Sequence, residues 1–334
     1  MLKIGVIGCG AIGKEHIRRL THLIPAAEVV ACSDYFIETA EETAQLYGIK
    51  TVYKTGEELI SAPEVEAIVI TSVDATHAPY VLAAVRMGKQ VFCEKPLAQT
   101  ADDCEKIIAE EVLQQRKLVQ VGFMRRYDPG YAEMKRIINS GELGAPLMIH
   151  ACHRNVSQGK GFTSGMGITN VAIHELDICR WLLGEEYKQA QVLKVRQSAC
   201  STKGYDNPQI VLLEGENGSR IDIELQVADA YGYDIQCQVV CEKGTINLPD
   251  PTSVIMRSNA RCSVGLLTDW ADRFIEAYDI ELAEWVKNAL AGRVAGPSSW
   301  DGYAACVVAD VLNRSRGKNQ FLPVVMMDKP ELYK

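Results

Sequence analysis

The sequence predicts an α/β protein: a doubly wound parallel sheet first, then an α+β domain whose sheet is mostly antiparallel. Three observations predict this. Strand and helix patterns alternate with short connections from residue 3 to about residue 123, the mark of parallel βαβ units. Beyond that point the alternation gives way to period-2 strands at close spacing. Finally, a length of 334 residues suits two domains, on a prior of roughly 150 residues each. The expected division is 1–123 and 124–334. A C-terminal helix packing back on the first domain is compatible with it.

The elements follow in order. Ile4 to Ile7 is a short apolar strand, and Gly8-Cys9-Gly10-Ala11-Ile12-Gly13 follows it directly. A helical pattern comes next, with Ile17, Leu20 and Ile24 on one face. Strand, tight turn and helix carrying G-x-G-x-x-G form a dinucleotide fingerprint. Gly8 permits the turn, Gly10 removes the side chain that would hold a pyrophosphate off the backbone, and Gly13 lets helix and strand approach. The helix N-terminus, at Ala11 and Ile12, offers N–H groups to the phosphates. A second strand, Val29 to Cys32, ends at Asp34, about twenty residues past the last glycine, where a carboxylate accepts both ribose hydroxyls of NAD. The cofactor expected is therefore NAD.

Ile37 to Tyr47 reads as a helix stopped by Gly48, Thr51 to Tyr53 as a strand and Glu57 to Ser61 as a short helix. Ala67 to Ser72 is an unbroken apolar strand of the kind buried on both faces. A helix from Pro79 to Met87 and the strand Val91 to Cys93 come next. Thr100-x-x-Asp103 resembles a capping box opening another helix, and Leu118 to Phe123 closes the series. Such sheets bind ligands beyond the carboxyl ends of their strands. That places Ser72 to His77, Glu94 to Pro96 and Met124 to Tyr127 beside the glycine turn, with Ser72, His77, Glu94 and Lys95 as cofactor contacts.

In the second half, Tyr131 to Ser140 reads as a helix and Leu147 to His153 as a strand. A loop with Gly159, Gly161, Gly165 and Gly167 precedes a single helix expected over Asn170 to Leu183. Ile221, Ile223, Leu225 and Val227 alternate with Arg220, Asp222, Glu224 and Gln226, as in a half-buried strand. Phe274, Tyr278, Leu282 and Trp285 share a helical face, and a last helix begins near Ser298.

Composition narrows the function. The chain is 47% hydrophobic with a net charge of −8, enough for ordinary cores, and it carries no basic run. Nucleic acid and anionic membranes are not expected partners. No apolar stretch is long enough to span a bilayer, and the N-terminal segment reads as a fold strand, not a signal peptide. The eleven cysteines are odd in number, scattered and without a C-x-x-C pair. They read as buried free thiols in a reducing cytoplasm, with zinc ligation as the alternative and no metal expected.

Several polar residues stand where chemistry is done. Lys95, between Glu94 as a prospective ion-pair partner and Pro96, ends a ligand-facing strand. Its ammonium can orient a substrate hydroxyl and favour the alkoxide-like state; the plain alternative is a solvated turn lysine. Asn170, His174 and Asp177 are spaced i, i+4, i+7 on one helical stripe, and histidine suits proton removal near neutral pH; a structural helix histidine is the alternative. Arg125, Arg126 and Tyr127 either bond a polyol or tie the domains together. Tyr231 and Tyr233 either line a sugar pocket or are ordinary strand residues.

Together these segments resemble the glucose–fructose oxidoreductase/inositol dehydrogenase family over essentially the whole chain, on its inositol dehydrogenase branch. The resemblance rests on Glu94-Lys95-Pro96, on residues 121–128 (VGFMRRYD), and on His153-Arg154-Asn155. It rests also on Ile173-His174-Glu175-Leu176-Asp177 and on residues 231–236 (YGYDIQ). It implies NAD-dependent oxidation of a secondary hydroxyl of a cyclic polyol or sugar, such as myo-inositol to its 2-keto form. The family's catalytic lysine falls on Lys95 and its histidine base on His174, with substrate contacts on Arg125, Asn155, Asp177 and Tyr233. Where the family has aspartate four residues before the histidine, this chain has Asn170, which can orient the imidazole but supplies no charge. Rival readings are oxidation of another sugar or glycoside, and a non-catalytic NAD-bound sensor. The resemblance also implies a homotetramer packed through the antiparallel sheet. The polar outward face of that sheet (Arg220, Asp222, Glu224, Gln226, Gln236, Gln238) by itself reads as solvated.

Overall fold

The computed structural model describes residues 1–334 apart from 158, 160, 202, 203, 252 and 253. The chain divides into two compact units, one of residues 1–123, 278–306 and 326–334, the other of residues 124–277 and 307–325. A cut at 123/124 alone would leave segments 278–306 and 326–334 outside the first unit.

The first unit is a six-stranded, all-parallel sheet of β1 (Leu2–Ile7), β2 (Ala27–Ser33), β3 (Thr51–Tyr53), β4 (Ala67–Ile70), β5 (Gln90–Glu94) and β6 (Val119–Gly122). The connecting helices are α1 (Ala11–His22), α2 (Ile37–Tyr47), α3 (Gly56–Ser61), α4 (His77–Arg86) and α5 (Ala101–Leu113). The strand order is β3-β2-β1-β4-β5-β6, which reverses direction between β1 and β4. That switch point is where doubly wound sheets hold ligands. Ile4, Val6, Val69 and Phe92 are fully buried, as strands covered on both faces require. Leu282, Trp285 and Val286, from the returning segment 278–306, join the same core. The capping box at Thr100 is present, its hydroxyl accepting the N–H of Asp103 at 3.2 Å.

The second unit opens with α6 (Pro129–Ser140), β7 (Pro146–Arg154) and the short α7 (Ser164–Met166). The expected single helix over 170–183 is divided: residues Gly167–Ala172 are π-helical, and α8 (Ile173–Leu183) is α-helical. The hydrophobic period does not report such a widened turn, and π segments of this kind gather at functional sites. Then come β8 (Tyr187–Lys194), β9 (Gln209–Gly215), β10 (Arg220–Gln226), β11 (Asp234–Cys241) and β12 (Gly244–Asn247). A separate hairpin of β13 (Ile255–Ser258) and β14 (Arg261–Val264) precedes α9 (Trp270–Arg273), α10 (Ile275–Leu290), α11 (Ser299–Ser315) and β15 (Leu322–Pro323). The seven-stranded sheet has the order β12-β11-β7-β10-β9-β8-β15. It is mixed, for β7 and β10 run parallel while every other pair is antiparallel. Alternation shows which face of a strand is buried, not the direction of its neighbour. Among the described residues no helix is long and apolar enough to cross a membrane. All eleven cysteines are free, and only Cys200 and Cys262 are exposed.

Candidate active site

In the first unit the polar features gather at the carboxyl edge of the sheet. A Cβ placed on Gly8, whose φ is +101°, would lie 2.5 Å from the Ser72 amide nitrogen, and one on Gly13 would lie 2.0 Å from the Gly8 carbonyl oxygen. Glycine is therefore required at both by the close passage of the turn against β4 and α1. A Cβ on Gly10 would meet nothing within 4 Å. The space in front of Gly10 is open, as an approaching pyrophosphate needs. Helix α1 starts at Ala11 without a side-chain cap on Gly10, which leaves its first N–H groups, at Ala11, Ile12 and Gly13, available to an anion.

Asp34 follows β2. Its Oδ2 accepts the Cys9 N–H at 2.7 Å and its Oδ1 accepts the Phe36 N–H at 2.9 Å. The carboxylate is thus pinned beside the glycine turn, with lone pairs left for two further donors. These features fit a dinucleotide whose ribose hydroxyls meet Asp34 and whose phosphates meet α1.

At the ends of β4 and β5, Ser72 Oγ lies 2.6 Å from Thr76 Oγ1. The buried His77 ring has Nδ1 2.7 Å from the Pro96 carbonyl and Nε2 3.0 Å from the Ser72 carbonyl. Both carbonyls only accept, so a ring with one N–H bonds one of them, and the shorter contact is the one to Pro96. Glu94 turns one carboxylate oxygen to His16 Nε2, at 2.7 Å, and the other to the Lys95 N–H, at 3.2 Å.

The second unit holds a buried polar cluster. Arg125 lies in the turn Met124–Tyr127, and its Nη1 donates to Glu175 on α8. Its Nη2 lies 3.1 Å from His153 Nδ1, and that nitrogen lies 2.9 Å from Glu175 Oε2. Nδ1 of His153 thus stands between a guanidinium, which only donates, and a carboxylate, which only accepts. Burial by itself disfavours the Arg125 cation, but the Glu175 charge outweighs it and raises the Arg125 pKa above its ordinary value. Burial likewise pushes Glu175 up, yet Arg125 and His153 hold it below the usual carboxylate range. Arg126 grips Asp177 with both Nε, at 2.9 Å, and Nη2, a bidentate pair. Both arginines thus anchor their turn to α8.

His174 lies in the first turn of α8 and is buried, its ring centroid 6.3 Å from that of His153. Asn170, in the π-helical stretch, accepts the Thr169 hydroxyl at 2.7 Å. The two tyrosines separate. Tyr233 is buried edge-on to His153, at 5.8 Å, and burial pushes its phenol up to about 12 against the opposing charge of Arg125. Tyr231 is half exposed and bonds Asp234 at 2.6 Å. Asn155 is fixed by its backbone to Gln226 and Asp229, while its buried Oδ1 has no hydrogen-bond partner among the described residues. An orphan acceptor of this kind suits a ligand hydroxyl.

Sequence reasoning did not single out Glu175 or His153 as working residues. The signal for His153 was its place on the inward parity of β7, with Ile149 and Ala151. For Glu175 there was none, since its partners are distant in sequence.

Comparison with known proteins agrees with these features. Residues 2–123 match the oxidoreductase family model described as an NAD-binding Rossmann fold. Residues 131–247 match the GFO/IDH/MocA C-terminal domain. The chain is 49% identical, over all of its length and 99% of the relative's, to the inositol 2-dehydrogenase of Burkholderia vietnamiensis. The same figures hold for the inositol 2-dehydrogenase of Klebsiella pneumoniae subsp. pneumoniae. Among solved structures, the myo-inositol dehydrogenase of Lactobacillus casei in complex with NAD(H) and myo-inositol superposes with a TM-score of 0.97, at 36% identity and complete coverage of both chains.

Proposed function

The chain belongs to the Gfo/Idh/MocA oxidoreductase family, an NAD-binding family, and on that premise we propose that it oxidises myo-inositol at a secondary hydroxyl to the 2-keto product. The observation that carries this reading is the presence, in one chain, of a glycine-and-aspartate dinucleotide cradle and a buried polar cluster of Arg125, His153 and Glu175 beside His174. The first unit holds the cofactor through Gly8, Gly10, Gly13, the α1 N-terminus and Asp34. Bound there, NAD supplies the acceptor for the carbinol hydrogen. The protein handles the proton and the geometry. His174 takes the hydroxyl proton as general base. Lys95 orients the same oxygen and stabilises its developing negative charge. Asn155 accepts a ring hydroxyl with its orphan Oδ1, and Asp177 and Tyr233 fix the others, while Arg125 holds His153 and Glu175 in place. The retained pair of Lys95 and His174 favours an enzyme over an NAD-bound sensor.

The test is turnover with NAD on a panel of myo-inositol, scyllo-inositol, glucose and simple glycosides. NADH formation with myo-inositol at the highest kcat/KM is expected. A better sugar would select the rival dehydrogenase, and NAD binding without turnover on any member would select the sensor. The assembly inferred is a homotetramer packed through the outward sheet face, supported by the exposed Met148 beside the His150–Asp222 pair. Sedimentation showing only monomer at micromolar concentration would refute it. The free thiols support a cytoplasmic location.

A further inference from the structure

His16 was not among the expected site residues, yet it is completely buried in α1, one turn past Gly13. Its ring packs edge-on to Phe92 at 5.5 Å and tilted against Tyr278 at 5.6 Å. An apolar side chain would fill such a slot without any polar atom to satisfy. Nδ1 of His16 is in fact buried with no hydrogen-bond partner among the described residues. Its Nε2, 2.7 Å from Glu94 Oε1, is the one polar function the imidazole serves. Because the carboxylate only accepts, Nε2 is the protonated nitrogen.

Glu94 is itself buried, and its second oxygen accepts the main-chain N–H of Lys95 at 3.2 Å. Gly122 walls the carboxylate in, since a Cβ there would lie 3.1 Å from its atoms. On the far side of Lys95, the Pro96 carbonyl is held by His77 Nδ1 at 2.7 Å. The backbone of Lys95 is therefore clamped before and after, and the clamp before it leads back to the helix whose N-terminus faces the phosphates.

We propose that His16 is a positioning residue for Lys95, acting through Glu94 to fix the strand exit from which the lysine side chain leaves. This rests on the role given to Lys95 above. Removing the Nε2–H leaves a buried carboxylate short of a donor, and it must then turn toward another. The Lys95 amide loses its fixed acceptor when it does.

The test is a double-mutant cycle on myo-inositol oxidation, with NADH dissociation constants and thermal midpoints measured alongside. His16→Phe should leave NADH affinity within about twofold and lower kcat by roughly 10- to 100-fold, the range for lost outer-shell support and small misplacements. In the Lys95→Ala background the same substitution should cost nothing further. Equal factors in both backgrounds would show that His16 acts through the fold alone, and would overturn the proposal. Where His16→Phe does not fold, two amides decide. His16→Gln reaches the Nε2 position and should keep most of kcat, and His16→Asn falls short and should not; equal kcat in the two would overturn the proposal. Near-normal turnover by Lys95→Ala alone is a separate result, refuting the lysine's role and this proposal with it.

Discussion

Replacing Asp34 with serine tests what sets the choice between NAD and NADP. The carboxylate is anchored at 2.7 Å to the Cys9 N–H and at 2.9 Å to the Phe36 N–H, so it cannot swing away from a bulkier ribose. A 2′-phosphate in place of the hydroxyl would bring its charge to within about 4 Å of that carboxylate. Two unit charges there, at an effective dielectric constant of about 20, repel by about 4 kcal/mol. At 1.4 kcal/mol per decade, that is a discrimination on the order of 10³-fold. The next side chain is Tyr35, 94% exposed and uncharged, so the residue after Asp34 supplies no cation to offset the repulsion. Wild type should therefore prefer NAD by roughly 10²- to 10³-fold in kcat/KM, screening by salt accounting for the lower end. Asp34→Ser keeps one acceptor for the turn and removes the charge. Its preference should fall to within about tenfold, partly through weaker NAD binding, as a lost hydrogen bond to a charged group costs about 1.5–3 kcal/mol. The assay is kcat/KM for both cofactors at one saturating polyol concentration and fixed ionic strength. Equal use of the two cofactors by wild type, or an unchanged ratio in Asp34→Ser, would place the carboxylate away from the ribose and refute the reasoning.

Three further outcomes are expected. Lys95→Ala should leave the NADH dissociation constant nearly unchanged while kcat falls by about two to four decades, the range for a group acting on the reacting oxygen; single-substrate kinetics with a fluorescence titration checks both. Asn170→Asp adds a negative charge one turn before His174, which favours the imidazolium. The base must be neutral to work, so the acidic limb of the kcat/KM profile should move upward, by about one unit for about 1.4 kcal/mol of interaction. An unmoved limb would uncouple residue 170 from the base. Glu175→Gln strands the buried Arg125 cation, at about 3 kcal/mol or more for a broken buried pair. The thermal midpoint should drop by roughly 6–12 °C for a unit of this size. Because the Glu175 pKa is depressed in the folded state, its contribution is complete above the unfolded carboxylate value of about 4.5 and is lost as pH falls through the lower folded value. Wild type and variant should therefore converge in acid, and a constant gap in midpoint down to pH 3 would contradict the ion-pair account.

What could be read in the sequence was whatever repeats locally. The first unit was legible because a parallel sheet buried on both faces writes each strand as a continuous apolar run, as in Ala67–Ile70, and because Gly8 and Gly13 each answer to a backbone clash. Alternation in β10 and β11 gave their faces but not the parallel pairing of β7 with β10, since period 2 is blind to strand direction. The widened turn over 167–172 was hidden for a similar reason. Its buried residues, Gly167, Ile168, Val171 and Ala172, keep the spacing of a helical face, and the backbone hydrogen bonds are what differ. Polar pairs were the least legible. His16 meets Glu94 across 78 residues and Arg125 meets Glu175 across 50, so neither pair leaves a spacing to find. What does show locally is the oddity of a titratable side chain on an apolar face. Position 16 shares the inward side of α1 with Gly13, Ile17 and Leu20, and that alone asked for a partner.

The same long-range pairing sets what a charge introduced at position 170 would meet in the second unit. Asp177 shares the stripe of position 170, but each of its oxygens accepts from Arg126. The other nearby carboxylate, Glu175, is committed to Arg125 and His153. Two guanidinium groups thus face two carboxylates, and the formal charges around the start of α8 cancel in pairs. In that setting the field at His174 is not set by a lone acidic neighbour. A fixed ion pair acts at a distance as a dipole, whose influence falls off faster than that of a single charge. An aspartate at 170 would enter as a charge outside these two pairs, one turn from the ring. If His174 is the base, Asn170→Asp should therefore favour its imidazolium, and the paired carboxylates on α8 should not mask the effect.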